Sequence, residues 1–454
     1  MPRLIGLALL ILFSLVLIKY TAFDHSTTES STIALGFLIS SAYIVGQCVE
    51  RLRLPKITGY LLTGLLFGPY LLKFISKETL VDLNFINHMA LALIAFYAGG
   101  ELQLSQLKEY RKSFTILIVF QLFIVAGVAG VLYLIRSYFH IFRNLNDMQI
   151  LAFSVLLGVV SVARSPSTVI AIISETRSEG RVTDIVLGVT IALDVVVIML
   201  FAIAISFCDV LLVTNKSWDF SFFFILMLEI IFSLVTGLAL GIGLNFVIKR
   251  VNTILPMAIL TIGFVVTKFS YSLTEYLEHT HEIGLKVEPL LICITAGFYI
   301  QNFSNHNKRF MASLDKVSLV IYTLFFSLTG ASLNLEILQK SWAIAFLIFI
   351  LRTIMLAAST TAGALVAKDP SPQRYLYWLG FISQAGVSLG FAHEIMRRFP
   401  SFGSELASII IAVVAIDQLI GPITFKYALE ICHETKEKLT YRTLVSQRTK
   451  RTQI

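Results

Sequence analysis

What most limits the fold of this chain is its count of apolar runs long enough to cross a bilayer. A spanning helix needs about 17–25 predominantly apolar residues. The sequence holds fourteen such runs, near 3–22, 32–49, 56–74, 85–105, 114–135, 148–173, 184–210, 220–248, 254–274, 287–302, 314–334, 342–367, 375–396 and 403–427. Inside hydrocarbon every backbone N–H and C=O must be bonded within the protein, which leaves helices as the way to use runs of this length. The expected fold is therefore an all-α polytopic membrane protein. Composition agrees: 14% of residues are charged, against about 25% in soluble domains.

The formal charge of +8 calls for no nucleic-acid partner, because Lys and Arg gather in alternate loops. With fourteen spans and the N-terminus inside, 23 of them fall on the cytoplasmic side, about ten on the other, and Arg164, Lys268 and Arg352 lie within spans. That asymmetry places both termini in the cytoplasm, in the cell (inner) membrane. The run at 3–22 follows a basic start and resembles a signal peptide in outline. No small-x-small cleavage site follows it, so a retained N-terminal extra helix (1–31) is the expectation. Residues 429–454 read as a basic cytoplasmic tail that touches anionic lipid. Cys48, Cys208, Cys293 and Cys432 show no metal-binding spacing, and no cofactor is expected.

The chain repeats itself. "GYLLTGLLFGPYL" (59–71) is answered by "PLLICITAGFYIQNF" (289–303), "LALIAFYAGGELQL" by "LVIYTLFFSLTGASLNL", "RSPST" by "SQAGVS", and "ALDVVVI" by "AIDQLIG". All four pairs keep the same order at offsets of about 220–231 residues. The halves, 32–210 and 254–428, each hold six spans. One further span, within the linker 211–253, separates them and inverts the second half in the membrane. Inverted six-helix repeats with crossed discontinuous helices are a plan of secondary transporters, with the ion site at the midplane.

Polar intrusions mark the candidate site. Pro166 in "ARSPST" removes a backbone N–H and clashes with the preceding turn, so the helix breaks there. Ser165, Ser167 and Thr168 offer hydroxyls at the break, and Gln384, with Ser383 and Ser388, offers a matching region in the second half. Asp194 lies about ten residues from either end of its span; a centred carboxylate costs about 2.5–3.5 kcal/mol and defaults to an ion or proton pathway. It can hold a proton or a small cation in turn, which suffices for exchange. Arg352, deep in its span, and Arg164, at the break, are expected to compensate charge, since a lone buried guanidinium is untenable. Asp417, the repeat mate of Asp194, either pairs with Arg352 or is a second titrating acid. Glu101 and Glu288 lie near span ends, where capping or entrance roles fit. No HExxH or GxSxG motif supports an enzyme.

The stretches "LPKITGYLLTGLLFGPYLL", "FYAGGELQL", "SVARSPSTVIAIISETRSEG", "GVTIALDVVVIMLFAI", "EPLLICITAGFYIQNFS", "FFSLTGASLNL" and "SQAGVSLGFAHEI" resemble, in order from about 32 to 428, the motifs of the monovalent cation:proton antiporter superfamily, nearest its Kef-type branch. The resemblance implies a sodium/proton antiporter fold and a homodimer. It also implies a dimerisation domain (roughly 32–105 and 254–334) and a core (roughly 114–210 and 342–428) that carries the ion by elevator-like movement. The family's ion-binding aspartate falls on Asp194 and its basic core residue on Arg352. Many electrogenic relatives have two adjacent acids at this point, and others have Asn-Asp or Gln-Asp; here the partner position is Leu193, and a single acid points to electroneutral exchange of Na⁺ or K⁺ for H⁺. No counterpart of the regulatory nucleotide-binding domain of many Kef-type proteins is read in these residues, so gating by such ligands is not expected. A cation channel, or a non-transporting signalling protein on the same scaffold, is the alternative.

Overall fold

The computed structural model describes residues 28–138, 142, 143, 145–212, 221–250, 254–281 and 288–435. The extra helix expected over 3–22 and nearly all of the basic tail lie outside these residues. The described residues are helical throughout, with no strand among them. The first half contains α1 (Thr28–Arg51), α2 (Lys56–Phe67), α3 (Lys77–Glu101), a short α4 (Leu104–Glu109), α5 (Arg111–Leu134), α6 (Asp147–Val160), α7 (Pro166–Thr176) and α8 (Arg181–Leu212). After α9 (Ser221–Arg250) follow α10 (Leu255–His281), α11 (Pro289–Phe303), α12 (Asn307–Ala331), α13 (Leu335–Ala367), α14 (Tyr377–Gly380), α15 (Gly386–Arg398) and α16 (Gly403–Ile431). Nine of the described helices are long and apolar enough to cross a membrane, and α2, α6 and α11 are shorter apolar helices.

Three runs are not single continuous helices, and two of these are the runs in which the sequence placed a polar break. The run 56–74 makes a helix only to Phe67, where Gly68 adopts an extended conformation and ends it. The run 148–173 becomes two helices, α6 and α7, separated by 161–165. The run 375–396 likewise divides into α14 and α15 around the extended segment 382–385. Hydrophobicity alone measures the length of oily chain and is blind to where its backbone leaves the helix.

Packing sorts the helices into two bodies. In the scaffold, α2 lies against α1 and α12, while α3 lies against α11, α12 and α10, with α9 covering α11. In the other body, here called the core, α5 packs on α13 and α6, and α16 gathers α13, α14, α15 and α7. Membrane helices approach closely where small residues line the contact, and glycines do this in the scaffold. Gly64 of α2 abuts the backbone of Ser327 and Ala331, and Gly330 of α12 abuts the Leu61 carbonyl. Gly99 of α3 and Gly297 of α11 face each other's helix backbones in the same way. A Cβ at any of the four collides with main chain that no rotamer change can move. Gly330→Val and Gly99→Val are therefore expected to cost at least about 1–3 kcal/mol and to lower the melting temperature in detergent. Gly36→Ala is the control: nothing lies within 4 Å of a Cβ there, and the melting temperature stays within error of the parent.

Candidate functional site: a crossing of two broken helices

Each break has a local cause. Pro166 opens α7 at its first turn, where a missing N–H costs nothing, and the Ser165 side chain accepts from the Thr168 N–H as N-cap. The Ser165 hydroxyl also lies 3.1 Å from Ser167 Oγ and 2.9 Å from Thr168 Oγ1. The second break has no proline. It sits where Gly421 of α16 leaves room: a Cβ there would fall on the backbone and hydroxyl of Ser383. Thr424 Oγ1 donates to the Leu379 carbonyl at 2.9 Å, ending α14.

The two extended segments meet directly, the Ser165 N–H donating to the Ser383 carbonyl at 3.0 Å. A break in a helix leaves carbonyls without partners, each costly in a dry interior, and here side chains take them up. Arg352 donates from Nε to the Ser161 carbonyl at 3.0 Å, from Nη2 to Ala163 at 3.3 Å and from Nη1 to Ile382 at 2.9 Å. Its Nη1 also bonds Asp417 Oδ1 at 3.1 Å, an ion pair in which both residues are fully buried. Arg164 turns back to the carbonyls of Ser161 (2.9 Å) and Ala163 (2.8 Å) and reaches Gln121 Oε1 at 3.1 Å. The Gln384 amide donates to the carbonyls of Val160 (2.8 Å) and Ala163 (3.2 Å). Five N–H groups in a rigid fork suit Arg352 to this task as no lysine could be.

Ser165, Ser167, Thr168, Gln384, Arg164, Arg352 and Asp417 are thus brought into one network, and Arg352 takes Asp417 as its carboxylate. The carbonyls that the first break frees are bonded by Arg352, Arg164 and Gln384. Asp194 stands outside the network, with no hydrogen bond to it. It lies on α8, which packs on α6 and α7, and its Oδ1 is buried without a partner among the described residues. One turn earlier, Thr190 Oγ1 is also buried and unbonded. Glu288, N-cap of α11 in the scaffold, acts on Asp194 electrostatically across the boundary between the bodies. Further buried oxygens without partners are Ser383 Oγ, Ser388 Oγ, Asp417 Oδ2 and Gln418 Oε1. Native interiors hold few such atoms; unmet oxygens on α8, α15, α16 and the second break mark a region suited to water or a hard cation.

Sequence reading did not single out Gln121 or Thr190. Both left a signal: Gln121 is a lone amide in "ILIVFQLFIVAG", and Thr190 lies four residues before Asp194, on the same helix face.

A polytopic helical protein with two discontinuous helices crossing beside an intramembrane acid defines a class, the secondary ion transporters. The model of the transmembrane sodium/hydrogen exchanger family matches residues 36–431, and the chain belongs to that family, within the monovalent cation:proton antiporter superfamily. It is 23% identical over 351 residues to probable Na⁺/H⁺ antiporter 2 of Methanocaldococcus jannaschii, covering 75% of this chain and 78% of that protein. It is 27% identical over 179 residues to probable Na⁺/H⁺ antiporter 3 of the same organism, covering 39% of this chain and 43% of that one. A match to the probable Na⁺/H⁺ antiporter GerT of Bacillus cereus, 28% identical over 170 residues, spans 36% of this chain and 40% of GerT. Among solved structures, the sodium proton antiporter MjNhaP1 of M. jannaschii superposes with a TM-score of 0.69 at 18% identity, over 90% of this chain and 99% of that one. Its structure at pH 8 gives 0.63 at 16%, over 88% and 97%. These likenesses establish the fold.

Proposed function

We propose that this protein exchanges Na⁺ or K⁺ for H⁺, with Asp194 as the side chain that binds them in turn. One observation carries the reading. Asp194 presents a buried, unpartnered carboxylate oxygen, while the neighbouring crossing has already met its own carbonyls and charges with Arg352, Arg164, Gln384 and Asp417. A carboxylate with no permanent cation is free to accept a proton or a metal ion, and cannot hold both. Ser165, Ser167 and Thr168, at the N-terminus of α7, supply hydroxyl oxygens and the positive end of a helix dipole near the path. Arg352 and Arg164 hold the crossing rigid and offset the partial charges of the half-helix ends.

The remaining parts of the mechanism follow from packing. The reciprocal pairs α2 with α12 and α3 with α11 are repeat mates of one another, which supports two inverted halves, 32–210 and 254–428, related by a pseudo-two-fold axis. The scaffold would form the homodimer, and the core would move past it with Asp194. Both termini face the cytoplasm by the placement of Lys and Arg.

The test is cation-driven proton movement in proteoliposomes, read with a pH-sensitive dye and comparing Na⁺, K⁺ and Li⁺. Saturable exchange is expected, with an apparent KM for the cation that rises as proton concentration rises, because the two compete for one carboxylate. Flux that grows linearly with cation and ignores pH sinks the antiporter reading. Leu193 beside Asp194 leaves one acid for one cation or one proton. The expected exchange is therefore electroneutral, its rate changing less than about twofold when a membrane potential of 100 mV is imposed, whereas moving one net charge per cycle through that potential is worth about 2.3 kcal/mol.

A further inference from the structure

A second group of acids lies away from Asp194, at the end of the bundle bearing the basic loops, where α3 and α12 of the scaffold meet α7 of the core. Glu101 is the last residue of α3. Tyr97, one turn earlier and on the same face, donates its hydroxyl to Asp315 Oδ1 of α12 at 3.0 Å. The Glu101 carboxylate lies close to Tyr97 and Asp315, and Glu179 and Asp184 add to the negative field around it. Among the described residues neither Glu101 nor Asp315 has an ion-pair partner. Tyr322, two turns after Asp315, faces the same two carboxylates and stands beside Ser174 of α7. It is 7% exposed, and among the described residues its hydroxyl finds no hydrogen-bond partner.

Two carboxylates held in one cluster repel each other unless something positive sits between them. A buried phenol hydroxyl left unbonded costs about 1–3 kcal/mol, so Tyr322 aimed at that gap signals a missing partner. The donors are all hard oxygens: two carboxylates and the hydroxyls of Tyr97, Tyr322 and Ser174. Such a set selects hard cations over soft metals. Ca²⁺ takes 6–8 oxygens in its shell, a number these five side chains reach only where a carboxylate binds through both oxygens.

We propose that Glu101 and Asp315, with the hydroxyls of Tyr97, Tyr322 and Ser174, form a second monovalent-cation site, separate from Asp194. Ser174 lies on α7, in the core, and the other four on the scaffold. An ion held there bridges the two bodies, so its occupancy biases their relative position. The binding itself does not depend on the exchange reaction; the bias rests on the movement proposed above.

The test uses the full chain in detergent and asks whether Na⁺ or K⁺, replacing choline at constant chloride, stabilises it against heat; calorimetry gives the apparent Kd. In the Asp194→Asn background the saturable cation response is expected to persist. Adding Glu101→Gln weakens it at least tenfold, and adding Asp315→Asn does the same. Tyr322→Phe, which keeps the ring and removes only the hydroxyl, weakens it severalfold and guards against a misfolded carboxamide variant. A cation response that vanishes with Asp194→Asn alone overturns the second site. So does a response that survives Glu101→Gln unchanged, as when Glu101 and Asp315 merely share a proton. Stabilisation by Ca²⁺ and not by Na⁺ or K⁺ overturns the monovalent assignment. Exchange measured in parallel on Asp194→Asn judges the proposed function separately, since that readout does not involve Glu101.

Discussion

Asp194→Asn is expected to abolish cation-dependent proton flux, lowering it by about 100-fold or more to the level of protein-free vesicles, while leaving the protein folded. The amide is nearly isosteric but carries no charge at any pH, so it can neither release a proton nor neutralise a bound cation. Interactions with a charged group contribute about 1.5–3 kcal/mol each, and losing one or two of them accounts for a factor of that size. The effect on stability has the opposite sign. Asp194 Oδ1 has no hydrogen bond to lose, and a carboxylate at the centre of a span costs about 2.5–3.5 kcal/mol. The melting temperature in detergent should hold or rise. Asp417→Asn is the contrasting variant, because that carboxylate is committed to Arg352 at 3.1 Å. It should lose stability as well as flux. If Asp194→Asn instead keeps its flux, the assignment of Asp194 fails.

Replacing Arg352 with Met is expected to be the most destabilising single change in the core. Removing one member of a buried ion pair costs about 3–5 kcal/mol, because the partner is left charged and unpaired. Here the loss is compounded: the Ile382 carbonyl loses its donor along with Asp417, while the carbonyls of Ser161 and Ala163 are left to Arg164 and Gln384. Arg352→Lys keeps the charge but has no fork with which to reach both breaks, and should fall between parent and Met. Pairing Arg352→Met with Asp417→Leu removes the stranded charge yet leaves the Ile382 carbonyl unmet and those of Ser161 and Ala163 with one donor fewer, so it should recover only part of the loss. Melting temperature and the yield of monodisperse protein measure this series. Full recovery in the double variant would show that the carbonyl contacts contribute nothing, and the account of Arg352 as the brace of the crossing would fall.

Much of the site was legible because polar residues in hydrocarbon are expensive and therefore rare. Asp194, Arg352 and Asp417 each interrupt an apolar run, and Pro166 marks a break by its own covalent chemistry. The second break was harder to place, since nothing in "SQAGVS" forbids a helix; Gly421, 37 residues later, makes room for the extended segment through space. The grouping of Tyr97 and Tyr322 with Glu101 and Asp315 was equally hidden, because Tyr97, near the end of α3, looks like an ordinary membrane-interface residue and Tyr322, inside α12, like part of the apolar packing.

By itself the sequence determined that this chain lives in a membrane, that it is helical, and which few ionisable groups interrupt its apolar runs. Those follow from one-dimensional physics: oily length, backbone hydrogen bonding and the price of burying charge. Only the tertiary structure decided who meets whom. Arg352 could have served Asp194 or Asp417, and the carbonyls of the broken helix could have been left open or closed. The choice depends on how two extended segments from opposite halves approach within hydrogen-bond distance. That approach is set by helix packing at residues such as Gly421, far along the chain from the groups it brings together.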